Sequence, residues 1–171
     1  MILTPDHLLG QATALLRLYP GRKPRQTEIR RAISAAYYAL FHLTLTKASD
    51  EFVGARHRAT PQYALAYRSI SHAGLRDQCL LVTKTTILDR LKPFVPPAGF
   101  RRDMRMFATA LPELPDKRHI ADYDPSATFT RSEAESMIAL AALGMARFAS
   151  ADAAERRAFL ALLLFPARGR G

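Results

Sequence analysis

Between Ile29 and Leu43 the chain reads IRRAISAAYYALFHL, and its apolar positions recur with a helical period. At about 100° per residue, Ile29, Ile33, Ala36, Leu40 and Leu43 share one face, and Ala32, Ala35 and Ala39 cover the flank beside it. Arg31, Ser34, Tyr38 and His42 make a narrow polar stripe opposite the large aliphatics. A helix that is apolar over most of its circumference is a buried one, and buried polar groups need partners. The pattern therefore predicts a central helix, opened by Pro24 and running to about Lys47, whose polar stripe meets other side chains, a second subunit or a ligand.

The same period places further helices on either side. Thr4-Pro5-Asp6 is a helix start, with a capping hydroxyl, a first-turn proline and an acid at the positive end. Leu8, Leu9, Ala12, Leu15, Leu16 and Tyr19 form its apolar face, and Pro20-Gly21 stops it. The segment from Ser49 to Thr60 reads as a loop. Thr60-Pro61 opens a short helix through Tyr63, Ala64, Tyr67 and Ile70, ending near Gly74. Leu75–Leu91 carries β-branched residues without strand alternation and reads as irregular or broken helix. Gly99–Leu111 is helical, and Pro112 and Pro115 are expected to break or kink it. Thr130-x-x-Glu133 is a capping box that starts a long helix with Ala134, Met137, Ile138, Ala141, Met145 and Phe148 on its apolar face. A last amphipathic helix spans about residues 152–165, and 166–171 form a frayed tail. The expected fold class is all-α: one domain over 1–171, an antiparallel bundle of four to five main helices plus short extra ones, with its core at about 25–148.

Charge changes the picture next. The 171 residues carry a formal net charge of +10, with a sequence pI near 10.4. Such a balance points to an anionic partner, nucleic acid first, or to a surface that is merely solubilised by arginine. The basic residues are spread from Arg17 to Arg170 and do not form one run. Cys79 is the only cysteine, which excludes an intrachain disulfide and a cysteine-based zinc site and fits a reducing, cytoplasmic setting. The N-terminus lacks the layout of a signal peptide. The longest apolar run, Phe159–Phe165, is too short to span a bilayer, so no membrane partner is expected.

Several chemistries are absent from the sequence: there is no Gly-rich phosphate loop, no HExxH, no GxSxG and no GxGxxG. The histidines at 7, 42, 57, 72 and 119 show no i,i+4 pairing, so neither a metal site nor any cofactor is expected. The densest polar cluster is Arg118-His119-Ile120-Ala121-Asp122-Tyr123-Asp124. On a helix Arg118 pairs with Asp122 at i,i+4, and Tyr123 lies on nearly the same face. That cluster reads equally as a helix end tied by an ion pair and closed by Pro125.

Two motifs, taken in order, resemble the HEPN domain family. The first runs from Arg31 to His42 and contains Ala36-Tyr37-Tyr38-Ala39 and Phe41-His42; the second runs from Arg118 to Asp124 and precedes the capped helix Thr130–Phe148. Together they cover roughly Arg25 to Phe148. The resemblance implies a four- or five-helix bundle, a homodimer, and a role as an RNase or RNA-binding partner in toxin–antitoxin or defence systems, in some cases beside a nucleotidyltransferase partner. Active members place a histidine five to seven residues after an arginine and cleave RNA without metal, the histidine moving the 2′-hydroxyl proton and the arginine stabilising phosphate charge. Arg118 matches that arginine. Tyr123, Asp124 and Pro125 stand at the histidine distance, while His119 is adjacent to Arg118 and about 100° round the helix from it. The resemblance thus implies an RNA-binding or partner-regulatory domain lacking the standard RNase activity, with Arg118 on phosphate and His119, Tyr123 and the basic connector Arg22–Arg31 assisting. Arg30, Arg31, Tyr38, His42 and Arg118 are the binding candidates. The alternatives are a metal-independent endoribonuclease using Arg118, His119 and Tyr123, and a purely structural dimerisation domain. Both site readings place Tyr38 or His42 close to Arg118–Tyr123.

Overall fold

The computed structural model describes residues 4–17 and 23–167. Among them there are helices and turns and no strand, and about 79% of the residues are helical. The helix stop at Pro20-Gly21, Tyr19, Arg22 of the basic connector and the tail from Arg168 to Gly171 lie outside the described residues.

Seven α-helices carry the fold: α1 Pro5–Arg17, α2 Gln26–Ser49, α3 Pro61–Ser69, α4 His72–Thr83, α5 Arg102–Tyr123, α6 Arg131–Ser150 and α7 Ala153–Leu164. The central helix is α2. Helices α1, α5 and α6 pack round it, α3 and α7 cover its C-terminal half, and α4 lies along α5. Its predicted apolar face is buried at Ile29, Ile33, Ala36 and Leu40, and so is the alanine flank. Leu43 is half-buried. Close approach to α6 occurs at Gly144, where a β-carbon would stand 3.0 Å from Leu40 Cδ2 and 3.5 Å from Ala110 Cβ. A second focus joins α5, α6 and α7: the Phe107 ring centroid lies 4.9 Å from that of Phe148 and 5.5 Å from that of Phe159. Helices α6 and α7 meet at 113°. No single helix among the described residues is long and apolar enough to cross a membrane.

Four boundaries differ from the sequence expectation. The segment after Ser49 is not a loop at first. It continues as a π-helical turn, Asp50–Gly54, and a 3-10 turn, Ala55–His57. Asp50 anchors this continuation, because its carboxylate accepts from Arg58 Nε at 3.0 Å, Arg58 Nη2 at 2.6 Å and the Tyr63 hydroxyl at 2.8 Å. Gly54, at φ +102°, ends the π turn in a backbone region that β-carbons disfavour.

Helix α3 stops at Ser69, not near Gly74. Ser71 then caps a new helix, its Oγ accepting from the Gly74 amide at 3.0 Å. Leu75–Leu91 divides into most of α4, a connection that bends at Thr85–Thr86, and the start of a 3-10 turn at Asp89–Phe94. Helix α5 begins at Arg102, three residues later than read, after a turn at Gly99 with φ +69°.

The fourth difference concerns the prolines. Helix α5 runs unbroken through Pro112 and Pro115 to Tyr123. An interior proline removes an amide donor and costs about 3 kcal/mol. Here the buried stripe Met104, Phe107, Ala108, Leu111, Leu114 and Ala121 spans both prolines, so tertiary packing carries the helix across them.

Candidate functional site

The polar stripe of α2 faces the C-terminal turns of α5. Ser34 Oγ donates to Asp122 Oδ1, and Arg118 Nη2 donates to the Tyr38 hydroxyl. Arg118 Nε lies 2.7 Å from Asp122 Oδ2. That approach is off the N–H axis, so Nε is ion-paired yet buried without a hydrogen bond. Three tyrosine rings surround the guanidinium, with centroids at 5.2 Å for Tyr38, 5.5 Å for Tyr123 and 6.0 Å for Tyr37, within cation–π range. Burial alone would lower the Arg118 pKa. The Tyr38 hydrogen bond and the Asp122 carboxylate reverse that and hold it above its ordinary value.

His72, the first residue of α4, is brought to the same place. Its ring stacks on Phe41 at 4.1 Å and stands edge-on to Tyr38 at 6.3 Å. Its Nδ1 is hydrogen-bonded to the buried Tyr37 hydroxyl. His42, one turn beyond Tyr38 on α2, stacks on Tyr38 at 5.8 Å and turns its Nδ1 to the Tyr67 hydroxyl of α3 at 2.6 Å. A continuous layer of rings therefore runs from Tyr67 through His42 and Tyr38 to the Arg118 guanidinium, with His72 beside it. Burial lowers the pKa of both histidines; His72 further lowers that of His42, and the Arg118 charge further lowers that of His72.

These shifts fix the sign of a pH effect. A histidine whose folded pKa lies below its unfolded value takes up its proton more readily when unfolded. The stability it contributes is present above the unfolded value of about 6.5 and is lost as pH falls from there through the lower folded pKa. The urea midpoint is expected to fall as the pH is lowered from 7.5 towards 5. A double variant, His42→Gln with His72→Gln, is expected to flatten that limb. An equally steep limb in the double variant would assign the loss to other groups.

The structure brings only some of the sequence candidates together. Arg118 and Tyr38 are in contact, and His42 joins them through Tyr38. Tyr123 is 64% exposed and lies between Arg118 and the exposed His119, whose ring centroid is 5.0 Å from its own. Arg31 is exposed and makes no hydrogen bond or ion pair among the described residues. Arg30 points elsewhere, donating to the carbonyls of Ala121 at 3.2 Å, Asp124 at 2.6 Å and Ala127. Sequence reasoning missed His72, Tyr67 and the inward role of Tyr37. The serine before His72 is a legible helix start, but no spacing rule links a residue at 72 with one at 118.

Among the described residues, no three His, Cys, Asp or Glu side chains converge as a metal cage would require. Comparison with family models, curated proteins and solved structures returns no match to this chain.

Proposed function

We propose that the chain is a HEPN-like, homodimeric RNA-binding domain of the cytoplasm that holds RNA without cutting it, working in a toxin–antitoxin or defence setting with a nucleotidyltransferase partner. The observation that carries this reading is the pairing of Tyr123 with Arg118. An exposed ring and a guanidinium at 5.5 Å, on a chain of net charge +10, suit one base and its phosphate. Base–aromatic stacking and backbone charge contacts are how single strands are held. The rings of His72, Tyr38, His42 and Tyr67 extend the platform. Arg31 adds a cation on the same α2 stripe.

Anisotropy of a short labelled single-stranded oligoribonucleotide tests this. Tyr123→Ala is expected to weaken binding by about 1–3 kcal/mol, the value of one stacked base. Arg118→Ala is expected to weaken it too, and to reduce the slope of log K against log salt by about 0.7, the loss of one phosphate contact on a single strand. No binding at low salt, or a slope that Arg118→Ala leaves unchanged, overturns the reading.

One observation favours a second reading, cleavage. His72 stands edge-on to Tyr38 in the ring layer that meets Arg118, and burial, then the Arg118 charge, lower its pKa, which favours the neutral imidazole a general base requires. A metal-independent endoribonuclease on this chain would pair Arg118 with His72 or with His119. RNA cleavage in excess chelator, lost in Arg118→Ala and in one of the two histidine variants, would establish it. Equal cleavage by all the variants would point to a contaminant.

A further inference from the structure

Helices α4 and α5 lie side by side, so what happens at one end of the pair is separate from what happens at the other. His72 and Arg118 mark the end described above. Thr83 and Arg105 mark the other, where Arg105 Nη2 donates to the Thr83 carbonyl at 2.9 Å. Thirteen residues of helix separate Arg105 from Arg118, about 20 Å along the axis. A cleft of about 540 Å³ opens at this far end, within the range of small-ligand sites. It sits between the last turn of α4, the segment after it and the proline-rich turn that leads into α5.

The lining has two parts. One is cationic: Lys84, Lys92 and Arg105 contribute, with the hydroxyl residues Thr85 and Thr86, and no carboxylate lines the cleft. Arg105 is held in place by the carbonyls that end α4. Lys92 pairs with Asp89 at 2.6 Å, but both side chains are exposed, and such pairs are weak. Lys84 makes no ion pair among the described residues. The other part is apolar, built from Val82, Ile87, Val95, Pro96, Pro97 and Phe100. The turn is fixed by the Gly99 amide donating to the Pro96 carbonyl at 2.7 Å. A β-carbon at Gly99, where φ is +69°, would stand in van der Waals contact with Ile87 Cδ1 at 3.5 Å.

We propose that this cleft binds a small organic phosphate, its anionic head among Lys84, Lys92 and Arg105 and a flat or apolar body against the proline–phenylalanine wall; a mononucleotide is the class that fits both parts. Three cations, of which only Lys92 has a carboxylate partner and that one exposed, favour a doubly charged phosphate over a carboxylate. The apolar wall requires more than inorganic phosphate to fill it. The proposal is independent of the Arg118 site.

Isothermal titration of the full chain with adenosine 5′-monophosphate, phenyl phosphate, benzoate, adenosine and inorganic phosphate tests it. Binding is expected for the two organic phosphates, with adenosine, benzoate and inorganic phosphate each at least tenfold weaker. Lys84→Glu with Lys92→Glu is expected to weaken the organic phosphates at least tenfold. Arg17→Glu, a charge reversal on α1, is expected to leave them within twofold. Thr86→Trp, which fills the cleft from an exposed position without changing charge, is expected to abolish binding. The proposal is overturned if neither organic phosphate binds, if inorganic phosphate binds as well as they do, or if binding survives both the double reversal and Thr86→Trp.

Discussion

Phe107→Ala is expected to lower the free energy of unfolding by about 3–5 kcal/mol, the usual cost of truncating a fully buried phenylalanine. Phe107 is 0% exposed and touches two other phenylalanines on two other helices. Its removal leaves a cavity at the joint of α5, α6 and α7, and none of the neighbouring rings has a flexible stem with which to fill it. In a domain of this length each kcal/mol shifts the melting temperature by about 2–4 °C. A fall of about 10 °C is therefore expected, with an unchanged urea m-value. A loss below about 1 kcal/mol would show that these three helices do not share one core. Phe107→Leu, which retains most of the apolar volume, is expected to recover more than half of the loss.

The α2 face was legible because its information is local. Fifteen consecutive residues state which side is buried, and the stripe left over states that something polar must meet it. The partner of that stripe was legible as well: Arg118–Asp122 is a helical i,i+4 pair, and Tyr38 is where a long-range contact to it would land. The capping box at Thr130–Glu133 is equally local, and its reciprocal bonds are present at 3.1 and 2.8 Å.

What the sequence hid depends on contacts between distant segments. Interior prolines are tolerated in α5 because Leu111 and Leu114, the residues just before them, are buried, and burial is a property of the assembled bundle. The π turn at Asp50–Gly54 exists because Asp50 meets Arg58 and Tyr63, and that geometry has no signature in spacing. His72 packs against Tyr37 and Phe41 of α2 and lies within the field of Arg118, 46 positions away, so its lowered pKa comes from burial first and the Arg118 charge second, and from nothing near it in sequence. The family resemblance led attention to the histidine beside Arg118. Of the imidazoles that join the ring layer around the guanidinium, His42 was legible on the α2 stripe and His72 was not, while His119 packs outside the layer on Tyr123.

Arg30 and Arg31 are neighbours in sequence, and both are binding candidates by charge, yet the structure gives them different surroundings: Arg30 is bonded to carbonyls and Arg31 is exposed. Arg30→Ala is expected to destabilise the protein by about 2–4 kcal/mol, because charge-assisted hydrogen bonds contribute about 1.5–3 kcal/mol each when partly buried. Its three carbonyl acceptors end α5 and begin the connection to α6, where a cation also meets the negative end of the helix. Gln26 completes the clamp one turn earlier, donating to the Phe129 carbonyl at 2.7 Å and accepting from its amide at 2.9 Å. Arg30→Lys is expected to recover less than half of the loss, since a single ammonium cannot reach carbonyls that a planar fork spans. Arg31→Ala is expected to change stability by less than about 0.5 kcal/mol, as for exposed positions generally. Under conditions where each variant remains folded, the order should reverse for RNA: Arg31→Ala weakens binding and Arg30→Ala does not. If Arg30→Ala leaves the urea midpoint unchanged but weakens RNA binding, the guanidinium has left those carbonyls for phosphate, and Gln26 alone clamps the connection into α6 at Phe129.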